Sequence, residues 1–295
     1  MDLLLDVLID TLLDSVKILP FLFVTYLLME YLEHRTEEGT SSLLEKAGRY
    51  GPLFGGAFGV IPQCGFSAAA SNLYAGRVIT TGTLIAVYLS TSDEMLPLMI
   101  ADRVGVTKIL SILVTKAVIG IVVGFLIDFV IHAFRRAHSK KETDDLRIEE
   151  LCEREHCHCD DDEEGGVLKS AIIHTRNIFF FVVILTFMLN LVIGLVGEEA
   201  LSALLQQNSL ISHVLAAVIG LIPNCAASII ITTLYLDGMI TAGTMMSGLL
   251  VGAGIGLLVL FRVNRDIKEN ILLTALLFVC GLTCGALIDL MGVMF

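Results

Sequence analysis

Long apolar runs separated by short polar connections make up most of the chain, and this pattern predicts helices that cross a membrane. A hydrocarbon core of ~30 Å is crossed by a helix of about 20 apolar residues. Six runs approach or exceed that length: residues 16–32, 78–100, 106–134, 177–196, 239–261 and 270–292. We therefore expect an all-α integral membrane protein that has the lipid bilayer as a partner.

Two further apolar runs are interrupted near their middle. Residues 51–75 contain Pro62-Gln63-Cys64-Gly65, and residues 210–236 contain Pro223-Asn224-Cys225-Ala226. The pieces on either side are about ten residues long, which at ~1.5 Å per residue is half of the hydrocarbon core. A re-entrant hairpin of two half-helices fits this length, and a kinked full-length helix is the alternative. Irregular backbone at membrane depth is tolerated only inside protein or beside water, so the hairpin interpretation makes both tips candidate sites.

The interrupted motif belongs to an internal repeat with a constant offset of 161 residues. Residues 59–67 recur as residues 220–228, each with an Ile-Pro-x-Cys core. At the same offset, Gly120 falls on Gly281, Gly124 on Gly285 and Asp128 on Asp289. Two similar halves in an apolar chain are typical of a transporter or channel whose site lies where the halves meet.

The basic residues indicate how the two halves are oriented. If each interrupted run returns to its own side, each half crosses three times, and the odd number inverts the second half. The basic connections at 33–50, Arg77, 135–170 and 262–269 then share one side, which agrees with the positive-inside rule. We therefore predict two inverted-topology repeats, each with three spanning helices and one re-entrant broken-helix hairpin. This arrangement counts as ten segments if half-helices are included, and it places both termini outside.

Composition and charge divide the chain further. Apolar residues make up 55% of the sequence, which is too many for a soluble domain. Half of the formal net charge of −12 lies in residues 135–166. We therefore predict a first membrane repeat over 1–134, a cytoplasmic acidic His/Cys-rich linker over 135–166 and a second membrane repeat over 167–295.

The candidate substrate site combines the hairpin tips, hydroxyls one turn further on and two acids within the run 78–100. The tips supply soft sulfur and neutral amides, and the acids supply hard oxygens, a donor set that suits a divalent transition metal. Acids inside a spanning segment are costly and usually functional. The predicted substrate-binding residues are Gln63, Cys64, Ser67, Ser71, Asp93, Glu94, Asn224, Cys225, Ser228 and Thr232, of which Cys64, Asp93, Glu94 and Cys225 are the metal ligands. For each cysteine taken singly, buried packing is the alternative.

Three other side chains inside apolar runs have open roles. Lys116 is deep in a spanning segment, where it is either a counter-ion for Asp93 or Glu94, a snorkelling residue or part of a polar cavity wall. Cys280 and Cys284 lie on one helical face and could extend a soft-metal path. Packing is the favoured role for both, because the equivalent positions of the first half are plain apolar residues.

The linker carries a second group of candidate metal ligands. Nitrogen, sulfur and oxygen donors lie within thirteen residues, which would suit flexible metal capture. The spacing does not match a zinc finger, and a disordered acidic loop with incidental His and Cys is the alternative. The residues are Cys152, His156, Cys157, His158 and Cys159, followed by five consecutive acids.

The duplicated Pro-x-Cys element, the acidic stretch 90–97 and the His/Cys-rich central loop together resemble the ten-segment heavy-metal exporter family. Bacterial members of that family are variously labelled manganese transporter or arsenic efflux protein. The resemblance covers nearly the whole chain outside the linker, and it implies export of a metal or metalloid across the cytoplasmic (inner) membrane. The sequence has no P-loop, so ion coupling or the substrate gradient would have to drive transport.

We therefore expect a secondary-active exporter of a divalent transition metal, manganese-like or another heavy metal. Export of an anion or metalloid, such as arsenite, an organoarsenical or another oxyanion, is the alternative; tip amides and hydroxyls would bind it while the acids carry coupling protons. An intramembrane cysteine enzyme is disfavoured because His174 and His213 lie near segment ends, away from the tips. We expect no enzymatic activity, no cofactor, a coupling proton or other ion, a small inorganic ion as substrate and no nucleic-acid partner, and we leave a homodimer open.

Overall fold

The structure is a computed structural model that describes residues 41–61, 64–92, 95–137, 166–196 and 209–295, together with isolated positions between 9 and 27. Every regular element in these residues is an α-helix, so the all-α prediction is confirmed for this part of the chain. The helices are α1 (Ser41–Gly59), α2 (Cys64–Ala75), α3 (Thr81–Ser90), α4 (Met95–Ala101), α5 (Val106–Ala137), α6 (Gly166–Val196), α7 (Ser209–Gly220), α8 (Cys225–Leu236), α9 (Ala242–Val251), α10 (Ile255–Val263) and α11 (Ile267–Leu290).

Four helical stretches in the described residues are long and apolar enough to cross a membrane. They are Thr81–Ala101, Val106–Phe134, Ala242–Val263 and Ile267–Leu290, and each coincides with a predicted spanning run. The helices α5 and α11 expose large apolar side chains along one face, Val118 and Val122 among them. Such a face suits lipid, and the prediction of a multi-pass membrane protein is confirmed.

Helix boundaries repeat at the offset found in the sequence. α2 and α8 begin 161 residues apart, as do α3 and α9, and as do α5 and α11. The caps repeat as well, because the hydroxyls of Thr80 and Thr241 accept hydrogen bonds of 3.1 Å from the backbone amides of Thr83 and Thr244. The sequence repeat is therefore also a repeat of local structure, since the same capping chemistry begins the same helix in both halves.

In the first half, α3 packs between α1 and α5, and glycines allow the close approach. A Cβ at Gly51 would overlap the side chain of Thr83, and a Cβ at Gly59 would overlap that of Ser90, so α1 runs parallel to α3. Small residues let membrane helices bring their backbones together in this way. In the second half, α9 packs between α7 and α11 in the same manner.

The packing of α3 on α5 and of α9 on α11 uses equivalent pairs of glycines. A Cβ at Gly82 would overlap the carbonyl of Gly124, and a Cβ at Gly243 would overlap that of Gly285. Backbone atoms cannot move aside as a side chain can. These crossings therefore require glycine on both faces.

The two halves also interlock. α2 of the first half packs on α10 of the second, and α8 of the second half packs on α4 of the first. One buried apolar cluster contains side chains from both halves, including Tyr88, Met95, Met246 and Leu250. The halves consequently share a core, which brings their equivalent segments together.

Two of the predicted spanning runs are interrupted in the structure. The runs 78–100 and 239–261 are not continuous helices, since α3 ends at Ser90 and α9 ends at Val251. We call residues 91–92 the first break and residues 252–254 the second break. At the first break the hydroxyls of Ser90 and Thr91 donate to carbonyls of the preceding turn, and at the second break Gly254 has φ 54°.

Two helices begin earlier than the apolar pattern predicted. α1 begins at Ser41 and α6 at Gly166, about ten residues before the predicted starts at 51 and 177. Hydropathy marks where a helix enters lipid, whereas the helix itself continues into the polar flank. The predicted span 16–32 lies mostly outside the described residues, as does most of the linker.

Candidate functional site

Three chain interruptions meet around a small cavity inside the membrane part of the protein. The first break contributes Thr91 and Ser92, the tip between α7 and α8 contributes Asn224, and the second break contributes Gly252 and Gly254. The cavity volume is about 20 Å³, which holds about one water molecule or one small ion. Irregular backbone at this depth exposes amides and carbonyls to the cavity, so the wall is polar even where side chains are small.

Lys116 places a charged group in the same wall. It is 1% exposed, and its Nζ donates hydrogen bonds to the carbonyl of Leu249, at 2.9 Å, and to that of Thr91. Both carbonyls lie at the C-terminal ends of helices that stop at a break, where carbonyls lack helical partners. The structure thus shows Lys116 in a polar cavity wall, one of its predicted roles. Its other suggested partners, Asp93 and Glu94, lie outside the described residues.

The turn between α7 and α8 gives the cavity the N-terminal end of α8. Asn224 caps this helix, because its side-chain oxygen accepts a hydrogen bond of 2.8 Å from the backbone amide of Ala226. Ser228, one turn further along, also lines the cavity. The N-terminal end of a helix carries partial positive charge and favours anionic groups. Two of the predicted site residues, Asn224 and Ser228, therefore lie at the cavity.

Ser67 and Ser71, predicted as binding residues, lie in a contact between the halves and away from the cavity wall. The Ser71 hydroxyl is 2.7 Å from the carbonyl of Gly256 and 2.7 Å from the hydroxyl of Tyr88. A Cβ on Gly256 would come within 2.6 Å of the Ser67 side chain. These two serines therefore pack α2 against α10, Ser71 through a hydrogen bond and Ser67 through close contact.

Thr232 is the repeat equivalent of Ser71 and is fully buried on α8. Its hydroxyl oxygen has no hydrogen-bond partner among the described residues. The position equivalent to Tyr88 is Leu249, which cannot supply a hydroxyl. The two halves therefore share a backbone arrangement at this point but differ in polar contacts.

The side chains of all the predicted metal ligands lie outside the described part of the structure. Gln63, Asp93 and Glu94 lie outside the described residues, as do the linker residues Cys152, His156, Cys157, His158 and Cys159. Cys64 and Cys225 are the first residues of α2 and α8, and their side chains also lie outside the described part. Within the described residues, no group of three His, Cys, Asp or Glu side chains is close enough to hold a metal ion. Cys280 and Cys284 are free, half-buried thiols packed against the apolar core.

Several cavity residues were not in the predicted site. Lys116, Thr91, Gly252 and Gly254 line the cavity, and so does Ser92. The signals that could have identified them are the hydroxyl run before Asp93 and the Gly-x-Gly at the equivalent place in the second half. Both mark a point where a spanning helix stops.

A second polar cluster joins the halves at the end of α2. Arg77 makes two hydrogen bonds of 2.9 Å to the carboxylate of Glu269, which also accepts one from the hydroxyl of Tyr74. The hydrogen-bonded Glu269 carboxylate raises the pKa of Arg77 above its ordinary value. The repeat equivalents of Arg77 and Glu269 are Gly238 and Lys108, so the second half cannot form the same pair.

Residues 2–200 match the model of a protein family described as "Putative, 10TM heavy-metal exporter". The match includes the first half, the linker and the start of the second half. No curated protein and no solved structure matches the chain. The description names a transporter, which is not a class of enzyme.

Proposed function

The chain belongs to this family of ten-transmembrane heavy-metal exporters, and we propose that it is a secondary-active transporter that exports a divalent transition metal from the cytoplasm. The observation that carries the proposal is the cavity at which both breaks and the second hairpin tip meet. Discontinuous helices around a site near the membrane centre are characteristic of secondary transporters.

The packing of α1 supports the hairpin interpretation. Because α1 runs parallel to α3, its C-terminal end at Gly59 is level with Ser90, beside the first break. The chain then returns to Thr81, at the other end of α3, through the twelve residues of α2. A re-entrant hairpin that enters and leaves on one side accounts for this path, whereas a kinked spanning helix does not.

Two such hairpins give each half three crossings, and the proposed second repeat is therefore inverted. The paired helix boundaries and the glycine contacts of α3 and α9 support equivalent halves. The count of ten segments, with half-helices included, agrees with the "10TM" of the family description. In this topology the repeats 1–134 and 167–295 lie in the inner membrane, the linker 135–166 is cytoplasmic and both termini are outside.

The ligands that we propose lie next to the cavity wall in sequence. Asp93 follows Ser92, and Cys225 follows Asn224, while both Ser92 and Asn224 line the cavity. Together with Glu94 and Cys64 they would supply carboxylate oxygens and thiolate sulfur, a donor set for a divalent transition metal. Gln63, Ser67, Ser71, Ser228 and Thr232 complete the proposed site as neutral ligands or as supports of the tips.

One observation favours the alternative, export of an anion or metalloid. Lys116 brings a positive charge to the cavity, and the N-terminal end of α8 lies in its wall. Both would attract an oxyanion such as arsenate and disfavour a cation. The metal proposal consequently depends on Asp93 and Glu94, whose two negative charges would exceed the single charge of Lys116.

Transport and binding by the purified chain in lipid vesicles test these alternatives. The probes are Mn²⁺, Zn²⁺, arsenite and arsenate, and the variants are Asp93→Asn and Glu94→Gln. We expect each variant to bind and transport the divalent metal at least tenfold more weakly, and wild-type binding to fall on acidification because protons compete for the same oxygens. Asp102→Asn is the matched control, since Asp102 is an exposed acid beyond α4 and should leave transport unchanged. Undiminished metal affinity in both variants would overturn the metal proposal in favour of the anion.

The linker is proposed to capture metal before transport. Its candidate ligands, Cys152, His156, Cys157, His158 and Cys159, lie outside the repeat, so they are not part of the paired scaffold. Deletion of residues 140–164 should weaken the apparent affinity for cytoplasmic metal and leave the maximal transport rate intact. If the variant that lacks residues 140–164 is folded but does not transport, the linker is part of the transport mechanism.

A further inference from the structure

A buried His–Asp pair lies in the second half, and neither residue lines the cavity. The Nε2 atom of His213 is 3.1 Å from Oδ2 of Asp289, and its Nδ1 atom is 2.8 Å from the hydroxyl of Ser247. The imidazole is 5% exposed and the carboxylate 21%. The imidazole is therefore buried, whereas the carboxylate is partly exposed at the surface of the protein.

The first half shows what this aspartate does without a hydrogen-bonded histidine. Asp128, the repeat equivalent of Asp289, accepts hydrogen bonds of 2.7 Å from the Thr80 hydroxyl and 2.8 Å from the backbone amide of Gly82. Asp289 accepts the same two bonds, from Thr241 and from Gly243. Each aspartate thereby holds the N-terminal end of a helix that precedes its own in the chain, α3 for Asp128 and α9 for Asp289.

The histidine is not needed for that structural role. The residue equivalent to His213 is Pro52, and the residue equivalent to Ser247 is Ala86, neither of which can hydrogen-bond through a side chain. α3 is nevertheless capped as α9 is. The second half has added a titratable side chain to a helix cap that is complete without it.

The three side chains can hold or release a proton with every polar atom satisfied. When the imidazole is neutral, its Nε2–H donates to Asp289 and its Nδ1 accepts from the Ser247 hydroxyl. A proton that binds at Nδ1 makes Nδ1–H the donor, and the hydroxyl turns to accept it. The charge of the pair then changes from −1 to zero. A buried site avoids an unsatisfied group in both states, because a hydroxyl can donate or accept.

We propose that the His213–Asp289 pair is the proton-binding site that couples transport to a proton gradient, a role that rests on the proposed function. In the proposed topology the end of α11 faces the outside, where protons enter if they are exchanged for an exported ion. Asp289 provides the contact with that side because its carboxylate is partly exposed. Imidazole is the side chain that proteins commonly use to take up and release protons at physiological pH.

No other described charge competes at this position. α9 carries no titratable side chain. On α11, Cys280 and Cys284 precede Asp289 by nine and five residues. Lys268 and Glu269 lie some 20 residues before Asp289, about 30 Å along the helix. α8 carries Cys225 and Tyr235, and the Tyr235 hydroxyl donates to the Phe295 carbonyl. Among the described residues of the helices packed around α7, Asp289 is thus the acidic residue that contacts His213.

α9 connects the proton site with the cavity. Ser247 contacts His213, and two residues later the carbonyl of Leu249 accepts from Lys116 while Leu249 lines the cavity. A shift of α9 on protonation would therefore reach the cavity within one helical turn, about 5 Å. One rigid helix is enough to link the two sites.

Two measurements on the full-length chain test the proposal. In the first, NMR of the protein labelled with ¹⁵N-histidine follows the imidazoles with pH, and the His213 signal is the one missing from His213→Gln. Between about pH 5 and 8, we expect this signal to report proton uptake by the pair, and we expect Asp289→Asn to change that response because it removes the carboxylate bonded to Nε2. An imidazole that stays neutral over this range overturns the proposal whether or not a transported substrate is known.

The second measurement uses vesicles loaded with Mn²⁺ or arsenite, with and without a pH gradient. We expect His213→Gln to retain downhill transport within about twofold and to lose its acceleration by the gradient. His132→Gln, an exposed histidine on α5, is the matched control and should behave as wild type. Gradient-driven transport that persists in His213→Gln would overturn the coupling role, whereas failure of every substrate in wild type would count against the proposed function alone.

Discussion

Lys116 in the first half donates a hydrogen bond of 2.9 Å to the backbone carbonyl of Leu249 in the second half. The same ammonium group donates to the carbonyl of Thr91, so it joins the ends of α3 and α9, both of which stop at a break. The repeat equivalent of Lys116 is Leu277, and only one of the two halves supplies this cation. The contact therefore breaks the symmetry of the repeat at the point where its two broken spans meet.

Replacing Lys116 by leucine, the residue at the equivalent position, should destabilise the protein and slow transport at least tenfold. Each carbonyl left buried without a partner costs about 1–3 kcal/mol. The melting temperature in detergent and initial transport rates in vesicles measure the two effects. Lys108→Leu is the control, since Lys108 is exposed on the same helix.

The same variant separates the two substrate classes. If the substrate is a divalent metal, Lys116→Leu should keep its metal affinity, because loss of a positive charge does not weaken cation binding. If the substrate is an oxyanion, affinity should fall strongly, and Lys116→Arg should recover part of it. A rate and stability equal to wild type in Lys116→Leu would show that the bridge between the breaks is dispensable.

Gly254 at the second break should not tolerate a side chain. Its φ of 54° and ψ of −143° fall in a region that is essentially reserved for glycine, where another residue costs about 1–3 kcal/mol. We expect Gly254→Ala to lower the melting temperature and to reduce transport, since Gly254 also lines the cavity.

Gly105→Ala provides the comparison. Gly105 lies in the connection before α5, with ordinary φ and with open space where a Cβ would stand. Its replacement should leave both properties unchanged. Equal behaviour of the two variants would mean that the backbone at residues 252–254 is not constrained as the structure indicates.

The two glycine-mediated helix contacts, α3 on α5 and α9 on α11, can be compared with each other to test whether the halves are equivalent. We expect Gly82→Ala and Gly243→Ala to reduce the folded yield to a similar degree, because each added Cβ would overlap a carbonyl of the facing helix. Each variant is fused to a fluorescent protein, and fluorescence-detected size-exclusion chromatography measures its monodisperse fraction. Severe loss from one variant with a normal yield from the other would contradict equivalent packing of α3 on α5 and α9 on α11.

The sequence was sufficient for the repeat and for the four spans found in the described residues, because these depend on matching residues and on side-chain hydropathy. It did not reveal the breaks, since residues 91–92 and 252–254 lie within apolar runs and contain no proline. A helix stops there for local reasons, namely hydroxyls bonded to the preceding turn and a glycine with positive φ. Hydropathy averaged over a window does not respond to either.

The cavity was predictable only in part for a related reason. Asn224 and Ser228 stand out because a proline marks their tip, and both line the cavity. The acceptors of Lys116 are backbone carbonyls, which no residue pattern identifies. Ser71 has the same residue type and spacing as a binding hydroxyl, and only its contact with Gly256 shows that it joins the halves.

The ion pair between Arg77 and Glu269 gives the last prediction, because it connects the halves on one side of the protein only. Glu269→Gln removes the carboxylate that accepts from Arg77 and Tyr74, both side chains of the pair being 22% exposed. Solvent screening limits such a pair to about 1 kcal/mol, which corresponds to a fall of roughly 2–4 °C in melting temperature. Lys268→Gln, the loss of an exposed neighbouring charge, should cause no measurable fall.

The Glu269→Gln variant also tests the orientation of the protein, because in the proposed topology the pair lies on the cytoplasmic side. Loss of the pair should increase the labelling of a cysteine introduced at Ser92 when the reagent is added from the cytoplasmic side. Increased labelling from the outside instead would reverse the orientation of the halves.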